Sequence, residues 1–359
     1  MRTLVISDLH LSARTGRDVL RHGSALEVLV QRLAGFERLV VLGDLLELRQ
    51  GPVRQALAES EPVLAQIGGA LGAGAEVVLV PGNHDHHLAV QWLERRFRLP
   101  EAGPLGLESA VDWQPSETLA AVAAMLAPAS VRAAYPGVWL RDDVYATHGH
   151  YLDRHTTVPA FERIAAGAMA RVVREAPTGP RRAEDYEAVL SPIYAWIHAI
   201  AQWGARDMEE TSHGPSTRAR EVLIGSDGKR SIRRLGILAA FPALLAGLNR
   251  ARLGPFRRDL SAPELRRAGL RAFGEAIGRL DVQAPYVIFG HTHRAGPLPG
   301  DELGEWATPS GSRILNTGSW IYEPTWTGQT PAHSPYRPGF AAIVPAAGPP
   351  ELVNLLDPA

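Results

Sequence analysis

The chain contains no cysteine, which excludes disulfides and thiolate metal sites and leaves His, Asp, Glu and Asn as side-chain ligands. Lysine is nearly missing too: Lys229 is the only one, and the remaining basic residues are arginine, a bias we read as genomic. Neither sign of charge dominates. The 37 basic and 38 acidic residues leave −1, so no global attraction to nucleic acid is expected. There is no run of about 20 apolar residues, so a conventional membrane span is not expected. The opening Met1-Arg2-Thr3-Leu4-Val5-Ile6-Ser7 turns polar quickly and reads as a strand rather than a secretory leader. A cytoplasmic protein is the resulting expectation. No internal repeat is visible.

What is present is a chain of 359 residues, 45% of them hydrophobic, enough for one elaborated α/β domain with a sizeable core. Short Val-, Ile- and Leu-rich runs fall at 3–7, 38–42, 76–80, 143–147 and 285–289. All end in Gly, Pro, Asp or His, as buried strands feeding functional loops do. Leu26, Leu29, Val30 and Leu33 recur at helical spacing between the first two, as do Val53, Leu57, Leu64 and Ile67, more loosely, before the third. Strands alternating with helices predict an α/β fold with part of its sheet parallel. Candidates at 129–134, 137–141 and 143–147 look antiparallel, and more follow at 312–316, 339–344 and 351–355. A mixed sheet or two packed sheets is therefore predicted. From 155 to 282 the chain reads as helix after helix, at 158–175, 184–204, 218–224, 231–250 and 262–280. The predicted organisation is a core of 1–154 and 283–359 with an inserted helical cap, 155–282, overhanging the loops.

Five clusters of metal-ligand residues punctuate the core. They read Asp8-Leu9-His10, Gly43-Asp44, Gly82-Asn83-His84-Asp85, His148-Gly149-His150 and Gly290-His291-Thr292-His293. In an extended segment residues i and i+2 point the same way, so Asp8 and His10 can grip one ion together, as can His291 and His293. Asp44 stands alone after its strand, where a carboxylate can bridge two ions. Asn83 offers a neutral oxygen, and His148 another imidazole. His84 neighbours Asn83 and should face elsewhere, free to act on substrate. His150, beside His148, is a candidate substrate contact. Together these residues can hold two ions about 3.5–4 Å apart, the usual device for phosphoester hydrolysis.

The order D-x-H, GD, GNHD, a His followed by Gly, and GHxH resembles the calcineurin-like metallophosphoesterase superfamily. Asn316-Thr317-Gly318-Ser319 resembles a segment common after its last motif. The resemblance implies a sandwich of two mixed β-sheets flanked by helices. It implies one ion on Asp8, His10, Asp44 and His293, and a second on Asp44, Asn83, His148 and His291. It also implies hydrolysis of a phosphoester or pyrophosphate by metal-activated hydroxide, with His84 assisting the leaving group and Asp85 orienting His84. Mn²⁺ is the first choice of ion, with Fe, Zn, Co or Ni as alternatives by ligand type.

Ser7-Asp8-Leu9-His10-Leu11-Ser12 and Gly43-Asp44-Leu45-Leu46-Glu47 look like the UDP-diacylglucosamine pyrophosphatase branch, whose members carry a helical lid over acyl chains. This chain departs from that branch, which commonly has Arg at the position of His84 and HGD where His148-Gly149-His150 stands. The stretch Leu235–Leu248 is apolar throughout and flanked by Arg233, Arg234, Arg250 and Arg252. Its plain reading is a buried cap helix; its sharper one is an interfacial or acyl-binding segment. The expected partner is thus a phosphorylated small molecule or a lipid-linked substrate, with peripheral contact at the inner face of the membrane on the sharper reading. A nuclease is the alternative enzyme, although the Arg clusters at 218–234 and 250–271 lack interleaved aromatics. A non-catalytic scaffold is the remote alternative, opposed by the completeness of the ligand set.

Overall fold

A computed structural model gives the architecture of residues 1–99, 103–204, 242–259, 261–327 and 331–358. The expected helix 218–224, residues 231–241 of the expected helix 231–250, and the Arg cluster 218–234 lie outside these described residues. The apolar runs form strands: β1 (Thr3–Ile6), β2 (Arg38–Leu42), β3 (Glu76–Val80), β6 (Val144–Thr147), β7 (Tyr286–Phe289), β8 (Arg313–Asn316), β9 (Phe340–Val344) and β10 (Glu351–Asn354). Two more are β4 (Glu108–Val111), which sequence reasoning missed, and β5 (Ser130–Arg141). The lateral order is β10-β9-β1-β2-β3-β5-β6-β7-β8, with β4 paired to β5. β1, β2, β3 and β5 run parallel, and so do β6, β7 and β8. The β5–β6, β4–β5, β1–β9 and β9–β10 pairs are antiparallel.

β5 belongs to both halves of this mixed ladder. Ser130–Ala133 pair with β3, while Gly137–Arg141 pair with β6. The sequence reading split it into two strands at Pro136. A proline removes one ladder donor without ending a strand, and Pro136 sits where β5 leaves β3 and starts to pair with β6.

Alternation along each strand folds these halves into a sandwich. Val5, Val40, Leu42, Val78 and Val80 of the first half meet Val144, Ala146, Ile288 and Leu315 of the second in one buried cluster. The intervening residues Leu4, Ile6, Leu39, Val41, Val77 and Leu79 face outward onto helices. Those helices are α1 (Ala25–Leu33), α2 (Val53–Leu71), α3 (His87–Arg98) and α4 (Thr118–Met125), joined by Tyr186, Val189 and Leu190 of α6 (Ala183–Gly204). α5 (Phe161–Val172) packs beside α6. On the other outer face Tyr145, Val287, Phe289 and Ile314 meet α7 (Ala262–Arg279). Phe273 of α7 stacks on Phe289 with ring centroids 3.9 Å apart. Each such ring removed from water contributes about 1.5–3 kcal/mol. Among the described residues no helix is long and apolar enough to cross a membrane.

Candidate metal centre

Each strand that supplies the centre does so from its C-terminal end, where loops leave the sheet: Asp8 after β1, Asp44 after β2, Asn83 after β3, His148 after β6, His291 and His293 after β7. The loops turn sharply. Asp8, His10, Asp44, His291 and His293 all have left-handed backbones, with φ of 53°, 45°, 52°, 64° and 57°. A non-glycine residue held there costs on the order of 1–3 kcal/mol. Cross-loop hydrogen bonds hold them. Asp8 N donates to Gly43 O (3.1 Å) and His10 N to Asp44 O (2.8 Å). His291 N donates to Asp8 Oδ2 (2.9 Å), and Asn316 Nδ2 to Gly290 O (2.7 Å). The motif glycines serve close approach. A Cβ on Gly290 would lie 2.4 Å from Asp8 Oδ2, and one on Gly43, itself at φ 82°, would lie 2.2 Å from His148 Nδ1.

The side chains converge as two overlapping groups. In the first, His293 Nε2 lies 3.3 Å from Asp8 Oδ1 and 3.2 Å from His10 Nε2. In the second, Asn83 Oδ1 lies 3.0 Å from His148 Nε2 and 3.1 Å from His291 Nδ1. Asp44 Oδ2 sits between them, 3.6 Å from His10 Nε2 and 3.3 Å from His148 Nε2. His291 and His293 thus part company, one to each group.

These donors suit cations. Asp8 Oδ1 is buried and accepts no hydrogen bond. Asn83 Oδ1 faces the Asp44 carboxylate and the nitrogens His148 Nε2 and His291 Nδ1, which are acceptors when their rings are neutral. A cation among them turns repulsion into coordination; without one, either the imidazoles take up protons or the amide turns over so that its NH₂ faces that cluster. His148 Nδ1 donates to Leu42 O (2.9 Å), leaving Nε2 for an ion. The field is strongly negative. Burial alone would lower His10 and His148, yet Glu47, Asp44 and Asp8 around the first lift it to about 9, and Asp44 and Asp8 beside the second lift it to about 10.

Comparison with known proteins agrees: residues 1–232 match the family described as calcineurin-like phosphoesterase. The chain belongs to that family. Membership makes this calcineurin-like protein a metal-dependent phosphoester hydrolase with a two-ion centre. The match stops short of the fifth cluster, but the geometry above places His291 and His293 with the rest. No curated protein matches the chain. Among solved structures a dimetal phosphatase from Danio rerio aligns at 13% identity over 96% of this chain and 95% of its own, with a TM-score of 0.34. So distant a likeness carries no argument.

His84 stands beside the ligands, at the open side of the centre. Its Nδ1 lies 2.8 Å from Glu47 Oε2, and the same oxygen is 3.3 Å from His10 Nδ1. Sequence reasoning gave the orienting role to Asp85, and this is corrected. The buried Asp85 carboxylate instead accepts from the backbone N–H groups of Gly82 (2.7 Å), Leu45 (2.7 Å) and Asp44 (3.2 Å), tying two ligand loops together. Burial and the nearby Asp44 charge raise it to about 6. Glu47 is the partner of His84; burial would raise its carboxyl, but the two imidazoles hold it well below the usual range.

His150 is corrected too. The left-handed Gly149 (φ 104°) leads into a 3-10 turn, His150–Arg154, that carries its ring inward. There it is 1% exposed, with Nε2 3.1 Å from Tyr135 Oη. The same turn brings Asp153 Oδ1 to 3.0 Å from His291 Nε2, orienting a candidate ligand. Nothing in the sequence announced Asp153. Arg49 was missed as well. Its Nη1 lies 3.3 Å from His84 Nε2, and Glu162 Oε1 is 3.6 Å away. Its Nε and Nη2 are buried without a hydrogen-bond partner. Burial, with Arg49 adding to it, keeps His84 below its usual range despite Glu47 and Asp44.

Proposed function

We propose that the protein hydrolyses a phosphomonoester or pyrophosphate on two divalent ions, Mn²⁺ foremost, that share Asp44. The observation that carries this is the position of Asp44 Oδ2, 3.6 Å from His10 Nε2 in one group and 3.3 Å from His148 Nε2 in the other. Asp8, His10 and His293 would complete one ion's shell, and Asn83, His148 and His291 the other's. Bound ions would polarise the phosphoryl oxygens and lower the pKa of water at neutral pH.

The chain's own groups do the rest. Glu47 accepts Nδ1–H of His84, which leaves Nε2 facing the opening for proton exchange with a leaving oxygen. Arg49, whose guanidinium is at hydrogen-bond distance from that Nε2, supplies positive charge and unused donors to an incoming phosphoryl group. The anion draws Arg49 off Nε2 and favours the protonated imidazole. Asp85 and Asp153 hold the loops and His291 in register.

A lipid-linked substrate with peripheral membrane contact is the finer reading. It is supported by large apolar side chains left exposed on the helical interval, Phe161, Trp196, Ile200 and Leu244. The test is a substrate panel. Metal-reconstituted protein is assayed on aryl and alkyl monoesters, diesters, nucleotides and lipid pyrophosphates, with Asp44→Ala as control. Metal-dependent turnover of at least one monoester or pyrophosphate, lost in Asp44→Ala, is expected. No hydrolysis of any member would overturn the proposal.

A further inference from the structure

Beside the metal centre, between α3 and α6, lies a cavity of about 300 Å³. It is continuous with the candidate site, since Asn83, His84 and Arg49 form part of its wall. His84 is the group set to protonate the leaving oxygen. In an in-line displacement the departing group lies on the side away from the nucleophile, so this cavity receives the group that leaves.

Its remaining wall combines aromatic rings, Tyr194 and His86 among them, with polar groups, and the buried Tyr194 Oη has no hydrogen-bond partner. His198 Nδ1 lies 3.2 Å from Leu48 O, and a carbonyl can only accept, so Nδ1 carries the proton and Nε2 is left as an acceptor. The ring of His87 stacks on His198 at 4.2 Å between centroids, 14° from parallel. Burial and the neighbouring imidazoles lower His87 to about 4, and burial lowers His198, so neither ring adds a cation. Glu94 adds a carboxylate and Gln91 an amide at the rim. Among the described residues Val90 and Ala195 are the aliphatic side chains on the wall. An acyl chain could pack on the rings but would leave the Tyr194 hydroxyl and the His198 Nε2 acceptor unpaired. A group rich in hydroxyls would satisfy them, and about 300 Å³ is the lower end of the range for small-molecule sites.

We infer that the α3–α6 cavity is the leaving-group subsite and selects a polyhydroxylated organic group, a sugar or polyol phosphate. This rests on the phosphoester reading but not on the lipid-linked one, whose apolar surface lies elsewhere on the helices. A larger cleft of about 540 Å³ between Thr178 and α7 holds none of the candidate site residues, and we assign it nothing.

The experiment uses metal-loaded full-length protein and non-hydrolysable phosphonates read by calorimetry: a hexose phosphonate, an aminoethyl phosphonate, an octyl phosphonate and phenylphosphonate. Hydrolysis of the matching phosphates is followed in parallel. The hexose compound should bind at least 10-fold tighter than the phenyl and octyl compounds. His198→Phe keeps a ring on His87 but removes the acceptor, and should cut that ratio about 10-fold; Gln91→Leu, at the rim, should cut it less, and unfolding is monitored for both. Phenyl, octyl or aminoethyl binding as tight as hexose, or an unchanged ratio in both variants, overturns the subsite while aryl phosphate hydrolysis persists. Hydrolysis of nothing in the panel instead overturns the phosphoester reading, and the subsite with it.

Discussion

Glu47→Gln separates two jobs that one buried carboxylate performs. In the parent Oε2 is 2.8 Å from His84 Nδ1 and 3.3 Å from His10 Nδ1, so both rings direct Nε2 toward the centre. The amide preserves shape and removes the charge. A hydrogen bond to a charged group contributes about 1.5–3 kcal/mol, and about 1.4 kcal/mol is tenfold, so each histidine should lose roughly 10–100-fold in its task. For His10 the loss appears in metal affinity, measured by calorimetry on the metal-free protein. For His84 it appears in turnover, and saturating metal will not restore it. The turnover loss should be large on alkyl phosphates and small on p-nitrophenyl phosphate, whose leaving group needs no proton. Asp85→Asn provides the contrast: it should lower thermal stability and affect both ester types alike. Unchanged metal affinity together with equal losses on alkyl and aryl esters in Glu47→Gln would refute the assignment.

Three further outcomes follow from the same geometry. Gly290→Ala should destabilise by about 1–3 kcal/mol and weaken metal binding, because its Cβ would press on Asp8 Oδ2 and on Ser7 Oγ, each at 2.4 Å; thermal melts with and without metal check both. Arg49→Ala should lower kcat/KM by roughly 10–100-fold, and Arg49→Lys should recover little, since a point charge does not reproduce the fork; steady-state kinetics decide. His155, half-buried beside Tyr186 Oη (2.7 Å), is lowered by its partial burial and by the charges of Arg279, Arg154 and Arg163 to about 3 from an ordinary 6.5. The unfolded chain therefore binds the extra proton between those values, so this contribution to stability is complete above about pH 6.5 and is lost as pH falls toward 3. His155→Gln should flatten that part of the Tm–pH curve, and an unaltered slope would count against the reading.

The five ligand clusters were legible because each is short, follows an apolar strand and carries residues whose chemistry is specific. The same holds for the strands: Leu39-Val40-Val41-Leu42 is apolar on both faces because helices cover one side and the second half of the sandwich the other. Partners supplied from elsewhere in the chain were not legible. Glu47 and Asp85 are both acidic and close to His84 in sequence or in space, and only the fold shows which one turns toward the ring. Asp153 reaches His291 across 138 residues, a pairing that one-dimensional spacing cannot express. His150 looked like a second functional imidazole by adjacency, but a single left-handed glycine sent it into the interior. Pro136 misled for a related reason, since a missing donor mattered less than the change of partner strand around it.

The shared strand β5 has a mechanical consequence. Asp8, Asp44 and Asn83 hang from one half of the sandwich, His148, His291 and His293 from the other, and β5 is the strand through which the two halves are hydrogen-bonded. Each ion would take ligands from both sides, so loading the centre fastens the halves together at the end where loops, not strands, meet. In a chain with no disulfide available, catalytic ions would double as its cross-links. Removing them would then slacken the whole sandwich, and their occupancy would be read in the protein's resistance to unfolding as directly as in its turnover.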